Sequence, residues 1–156
     1  MLISRRVGLA SLLGASLLVA GIGAFSNAAF AAPPVAQSNG YAIGGYDVIA
    51  YYTKNAAVRG KPEFSHVWHG ATWLFESAAN RDKFAANPDA FAPQYGGYCA
   101  VGMSKGKQGI GDPQAWSVRN GKLYLTANQN VHAKFDQDGD TYISKADSWW
   151  QRSYAK

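Results

Sequence analysis

The chain has 156 residues, of which 47% are hydrophobic and 16% are charged, a balance that suits one globular domain with an apolar core. The formal net charge is only +5 and no block of lysines and arginines occurs, which argues against a protein that binds nucleic acid or an anionic membrane. A single cysteine excludes an intrachain disulfide framework, so the core and its aromatic residues must supply the stability.

The first 31 residues have the layout of a signal peptide. Arg5 and Arg6 precede a long apolar run, and Ala29-Phe30-Ala31 forms a small-x-small cleavage pattern. We therefore expect cleavage after Ala31 and a mature protein in the periplasm or secreted, without a stable membrane anchor. A retained anchor is the alternative, and the paired arginines leave both the twin-arginine (Tat) and the general secretory (Sec) routes open.

Turn signals divide the first half of the remaining chain. Residues 32–40 are predicted to form a flexible leader, and residues 41–156 a single domain. The segment 46–52, "YDVIAYY", is rich in β-formers and predicts a short strand. The segment 64–75 contains two further β-rich runs around His69-Gly70, which predicts a hairpin.

Capping and turn residues also organise the second half. Ser77 can cap a helix that Pro88 ends, and Asn120-Gly121 is a strong signal for a type I′ hairpin between residues 116–118 and 122–126. Two closing helices are expected at 128–135 and 144–155. The predicted class is therefore α+β, a small single domain of short β-hairpins packed with several helices.

Several blocks, in order, resemble one family. They are Gly45–Tyr52, Phe75–Asp82, Asn87-Pro88, Tyr95–Ala100, Asn120–Leu125 and Lys145-Ala146-Asp147. Together these blocks resemble the exported YHS-domain proteins, over nearly the whole of residues 41–156. The wider group is similar to small metal-sensing and metal-trafficking (TRASH-like) domains, so the resemblance implies a small α+β fold and an expectation of heavy-metal binding.

The metal-ligand positions of that family are occupied by other residue types here. Metal-binding relatives carry one cysteine after an early aspartate-containing turn and two more in a Phe-Cys-Ser-x-x-Cys arrangement. Those positions correspond to Ala50, Glu76 and Asn80 in this chain, so none of the three thiolates is present. Cys99 lies outside that arrangement, and the resemblance therefore supports the fold better than it supports a metal.

Cys99, in the glycine-rich run "GGYCAVGM", has three candidate roles. It can be a small buried hydrophobic residue, since the flanking glycines permit close backbone packing. It can be an exposed thiol that pairs two chains or serves a small thiol-dependent enzyme. It can also bind a soft metal, copper or zinc, together with Met103 and a histidine such as His66. The flanking glycines favour the packing role. His66 shares a strand face with Phe64 and Trp68, which is typical of a structural histidine.

A second candidate cation site lies at 136–147. Asp136, Asp138 and Asp140 occupy positions 1, 3 and 5 of a calcium-loop pattern, and Asp147 occupies position 12. Thr141 replaces the usual turn glycine, and Asp147 is shorter than the usual glutamate. We therefore predict a turn between helices here, with calcium binding as the alternative.

The tryptophans suggest a further role besides core packing. Trp68, Trp73, Trp116 and the Trp149-Trp150 pair are numerous enough to line a groove for a sugar or a hydrophobic ligand. No set of nucleophile, base and orienting residue can be assembled from the sequence. The sequence thus predicts an exported, non-enzymatic binding module of the cell envelope, whose partner is a small ligand or an envelope protein.

Overall fold

The protein alternates short antiparallel hairpins with helices, as predicted for an α+β chain. The computed structural model describes residues 34–154, and the predicted signal peptide lies outside them. The strands are β1 (Gln37–Ser38), β2 (Tyr41–Ala42), β3 (Lys61–Trp68), β4 (Ala71–Phe75), β5 (Asp112–Arg119) and β6 (Lys122–Thr126). The helices are α1 (Val48–Thr53), α2 (Ala78–Ala86), α3 (Pro88–Phe91), α4 (Ala100–Met103) and α5 (Gln129–Tyr154), and 3-10 turns cover Ile43–Gly45 and Gln94–Gly97.

Both predicted hairpins are confirmed. Strand β3 pairs with β4 around His69-Gly70, and β5 pairs with β6 around Asn120-Gly121. All four turn residues have positive φ, 49° and 70° in the first turn and 51° and 73° in the second. Two consecutive left-handed residues are what a type I′ turn needs, because their twist matches that of the strands.

The prediction of a strand at 46–52 is wrong, since this segment forms α1. Asp47 takes an extended conformation before the helix, and its Oδ1 accepts a hydrogen bond of 2.8 Å from the Ile49 amide. This N-cap satisfies a helical amide that otherwise has no partner. Val48 and Ile49 favour strands on their own, but burial of both side chains in the core outweighs that weak preference.

Helix α2 starts and ends as predicted. The Ser77 hydroxyl accepts from the Asn80 amide at 3.2 Å, and the helix ends at Ala86, before Pro88 opens the short helix α3. The two closing helices that were expected instead form the single helix α5, kinked at Asp138 (φ −142°). A Cβ on Gly139 would lie 2.7 Å from the Arg119 guanidinium, so β5 packs tightly against α5 just past the kink.

The segment before Tyr41, expected to be a flexible leader, is part of the packed structure from residue 34 onward. Strand β1 pairs with β2, and the Ala36 amide donates to the Gly96 carbonyl at 2.8 Å. Val35 and Ala36 are buried. Val35 and Ala36 can pack over the turn at Gly96 and Gly97 because neither glycine has a side chain that would occupy that space.

The core consists of two clusters of buried residues. The first lies between α1, the β3–β4 hairpin and α2, and includes Ile49, Trp73, Phe75 and Phe84. The second lies between α4, β6 and α5. Its buried side chains are Tyr95, Cys99, Met103, Tyr124 and Phe135, with smaller residues between them. Within residues 34–154, no helix is long and apolar enough to cross a bilayer.

Gly96 allows the N-terminal segment to pack, and replacing it tests this. Gly96 and Gly121 both have left-handed φ, of 63° and 73°, but only a Cβ on Gly96 would overlap a neighbour, the Pro34 carbonyl. We expect Gly121→Ala to lower the free energy of unfolding by about 1–2 kcal/mol through backbone strain, and Gly96→Ala to lower it by clearly more. Urea unfolding of both variants measures the difference. Equal losses would show that contact with Pro34 does not matter.

Candidate functional site

A cavity of about 160 Å³ opens between the β3–β4 turn, the loop after α3 and the last turns of α5. Four aromatic residues line it: Trp68, Trp73, Tyr95 and Trp150. They come from segments far apart in the sequence, and the cavity lies where the two core clusters meet, since Trp68 and Trp73 belong to the first cluster and Tyr95 and Trp150 to the second. Three of the five tryptophans therefore share one site.

Trp68 and Trp73 are positioned by the hairpin itself. The Trp73 indole N–H donates to the Trp68 carbonyl at 3.2 Å, and the two ring centroids lie 5.8 Å apart. Phe84 of α2 packs against both rings, at centroid distances of 5.8 Å and 5.0 Å. His69, with left-handed backbone in the turn, stacks on Trp68 at 3.7 Å. The hairpin thus holds the rings of Trp68, His69 and Trp73 together in the lining of the cavity.

Tyr95 and Trp150 form the opposite wall. Tyr95 lies in the 3-10 turn before Cys99, with a left-handed backbone (φ 56°), and its hydroxyl donates to Asp147 Oδ1 at 2.8 Å. Burial raises the pKa of the Tyr95 phenol, and the hydrogen bond to Asp147 raises that pKa further. Tyr95 is therefore a neutral donor whose hydroxyl is already bonded within the protein. Its ring centroid lies 5.9 Å from that of Trp150.

The polar side chains of the cavity lining are few. They include His69, Asp89 and Gln94, and Asp89 is solvent-exposed. Among the residues that the structure describes, no lysine or arginine lines the cavity. The four ion pairs found within residues 34–154 do not involve Asp89. The cavity therefore combines aromatic walls with one carboxylate.

The remaining tryptophans lie elsewhere. Trp116 packs edge-on against Tyr51 at 4.9 Å, and Trp149 lies against Gly106 with 43% of its surface exposed. The tryptophan content predicted an aromatic groove, but nothing in the sequence separates Trp150 from its neighbour Trp149. Sequence reasoning also missed Tyr95 and Asp89, for which spacing gives no signal.

The candidate soft-metal ligands are not brought together. Cys99 and Met103 are each 3% exposed and lie in the second core cluster. The Cys99 Sγ caps α4 by accepting from the Gly102 amide at 3.3 Å, so the thiol is both packed and hydrogen-bonded. His66 lies on β3, with its ring 6.1 Å from that of Phe84 in the first cluster. The expected burial of Cys99 is confirmed.

The candidate calcium ligands are spread along helix α5. Asp136 forms ion pairs with Arg119 and His132, at 3.3 Å and 3.2 Å, while Asp147 accepts from Tyr95. Asp138 marks the kink, and Asp140 lines a shallow cavity of about 410 Å³ that Lys122 also lines. A calcium loop needs non-helical backbone to wrap its oxygens around the ion, whereas 129–154 is helical apart from the kink. Within residues 34–154, no group of three His, Cys, Asp or Glu residues is placed to hold a metal ion.

Two of the three positions that the YHS resemblance aligns with metal ligands, Glu76 and Asn80, meet in a hydrogen-bonded network around Asp47. Asp47 is fully buried, and its Oδ2 accepts from the Glu76 amide at 2.9 Å and from the Asn80 side chain at 2.7 Å. Lys54 in turn pairs with the Glu76 carboxylate at 2.7 Å. With its Oδ1 bonded to α1, the buried carboxylate of Asp47 holds three donors. The Asp47 carboxylate therefore links α1, the end of β4 and α2 directly to one another.

Comparison with known proteins finds no match to a family model, to a curated protein or to a solved structure. The fold and the cavity define a small α+β protein with an aromatic site.

Replacing Cys99 tests its packing role. We expect Cys99→Ala to cost about 1–2 kcal/mol of unfolding free energy, as for small truncations in a core. Cys99→Ser should cost no more than Cys99→Ala, because a serine hydroxyl can accept from the Gly102 amide as an N-cap. Urea unfolding measures both changes. Rapid, stoichiometric labelling of the native thiol by a maleimide would contradict the buried position.

Removing the Asp47 carboxylate tests the network. Asp47→Ala leaves the Ile49 and Glu76 amides without an acceptor, and the Asn80 side chain keeps only its 3.3 Å hydrogen bond to Glu76 Oε1. We expect a loss of about 3–5 kcal/mol in unfolding free energy, because each buried unsatisfied donor costs about 1–3 kcal/mol. Asp82→Ala is the control, since Asp82 is exposed on α2 and should change stability by about 0.5 kcal/mol or less. Similar losses in the two variants would contradict the role given to Asp47.

Proposed function

We propose that this chain is an exported, non-enzymatic binding module of the YHS type, which holds a small ligand in the aromatic cavity. The observation that carries the proposal is the convergence of Trp68, Trp73, Tyr95 and Trp150 around one volume of about 160 Å³. Concave sites with mainly aromatic walls and few polar groups are the usual form of small-molecule sites. The sequence blocks shared with YHS-domain proteins and the N-terminal signal pattern support the family and the export.

The walls of the cavity are held in place by bonds within the protein. The Trp73 indole and the Tyr95 hydroxyl are both hydrogen-bonded internally, and Phe84 packs behind the two hairpin tryptophans. A ligand that enters therefore orders few side chains, which lowers the entropic cost of binding. This favours a preformed site over one assembled by the ligand.

The lining supports binding better than catalysis. It includes four tryptophan and tyrosine rings and two prolines, which supply contact area and no reacting group. Besides the Tyr95 hydroxyl, which is bonded to Asp147, the side chains of the described lining that can transfer protons are Asp89 of α3 and His69 of the β3–β4 turn. A solute-binding role in the cell envelope fits these features, with a small ligand as the partner.

The indole signals of the tryptophans provide a direct test. A ¹⁵N-labelled protein gives one Nε1–H signal for each of the five tryptophans. The probes are phenol, cyclohexanol, methyl glucoside and choline, each titrated to millimolar concentration. We expect at least one probe to shift the Trp68, Trp73 and Trp150 signals in a saturable way and to leave Trp116 unchanged, because Trp116 packs on Tyr51 away from the cavity.

Two neighbouring substitutions provide the matched control. Trp150→Leu removes a wall of the cavity, whereas Trp149→Leu changes an adjacent ring that packs on Gly106. The affinity of the active probe should fall at least several-fold in Trp150→Leu and stay unchanged in Trp149→Leu. If no probe shifts the cavity signals of the unmodified protein, the proposed site is wrong.

A further inference from the structure

The charge of the cavity lining differs from that of the whole chain. The chain carries a formal net charge of +5, yet within residues 34–154 the lining contains the carboxylate of Asp89 and no lysine or arginine. The Lys83 ammonium of α2 lies 5.4 Å from the ring centroid of Phe91, and the Arg152 guanidinium lies 5.1 Å from that of Trp149, and both of these rings belong to residues outside the lining. His69, the other titratable side chain at the opening, stacks on Trp68. Asp89 would therefore repel an anionic ligand, and no lysine or arginine of the described lining could form an ion pair with it.

The hydrogen-bonding groups of two of the four aromatic lining residues are already occupied. The Trp73 N–H is bonded to the Trp68 carbonyl, and the Tyr95 hydroxyl to Asp147. A sugar, which needs several donors and acceptors, could not use these two groups. A ligand whose head group makes no hydrogen bonds does not need such partners, and the aromatic rings offer it contact surface.

Aromatic walls and a carboxylate together favour an organic cation. The π-face of tryptophan or tyrosine attracts a cation that lies within about 6 Å of its centroid, and quaternary ammonium groups are the usual organic ligands of such cages. The volume also suits a head group of this kind, because a dry cavity of about 150 Å³ accommodates benzene. We propose that the cavity selects a small molecule with a quaternary ammonium head group, an inference that rests on the proposed function.

The test compares choline with 3,3-dimethyl-1-butanol, which has the same shape but carries carbon in place of the charged nitrogen. Both are titrated into the ¹⁵N-labelled protein, and the Trp68 and Trp150 indole signals are followed. Choline should bind about tenfold more tightly, since a partly desolvated cation–π contact and a nearby carboxylate together amount to a factor of this order. Added sodium chloride should weaken choline binding and leave the alcohol unaffected.

Asp89→Asn isolates the contribution of the carboxylate. Asp89 is exposed, so the variant should keep its fold, and the affinity for choline should fall about three- to fivefold, as for one partly screened charge pair. Asp82→Asn, an exposed carboxylate of α2 outside the lining, is the control and should leave the affinity unchanged. The alcohol should bind all three proteins equally.

The possible results separate the two proposals. If the alcohol binds as tightly as choline, or if the two aspartate variants weaken choline binding equally, the cation inference is overturned while the cavity remains a ligand site. If choline leaves the indole signals unchanged but phenol, cyclohexanol or methyl glucoside shifts them, the cation inference is again overturned while the cavity remains a ligand site. If none of the probes shifts them, both the cation inference and the proposed function are overturned.

Discussion

The buried carboxylate of Asp47 is the constraint on which the first half of the fold depends. A carboxylate without water is stable only when its oxygens are hydrogen-bonded, and Asp47 meets this need with donors from α1, from the end of β4 and from α2. Those three elements are consequently fixed relative to one another. Phe84 of α2 then packs against Trp68 and Trp73. By fixing α2, Asp47 therefore also helps to position the two hairpin tryptophans that line the cavity.

The second half of the fold depends on helix α5 in a comparable way. Phe135 anchors the helix in the second core cluster, and Asp147, three turns further on, binds the Tyr95 hydroxyl. That bond fixes the 3-10 turn against the helix and sets the wall that Trp150 shares. The cavity lies where two separately organised clusters meet, and their large rings leave space between them because each ring is held by its own cluster.

Local signals made the hairpins and the α2 cap predictable, whereas contacts distant in sequence decided the rest. His69-Gly70, Asn120-Gly121 and Ser77 act through their own backbone and near neighbours, so a short window contains the cause. Helix α1 was misjudged because its β-branched residues dominate that window, while Asp47 draws its other donors from residues about thirty positions away. The tryptophan content predicted an aromatic groove but not the residues that line it. The packing of α5 on the second cluster determines that Trp150, and not Trp149, lines the cavity.

The two aspartates that matter most to these proposals differ in how far their bonding capacity is used. Asp47 is fully buried and accepts three hydrogen bonds from the protein, so its oxygens hold α1, the end of β4 and α2 together. Asp89 is exposed at the opening of an aromatic cavity and forms no ion pair within residues 34–154. A carboxylate with satisfied oxygens has little left to offer a ligand, whereas one facing both water and aromatic walls can still attract a cation. The network around Asp47 and the aromatic cavity thus lie at opposite ends of the β3–β4 hairpin, with the network beside Glu76 after β4 and the cavity beside the turn at His69.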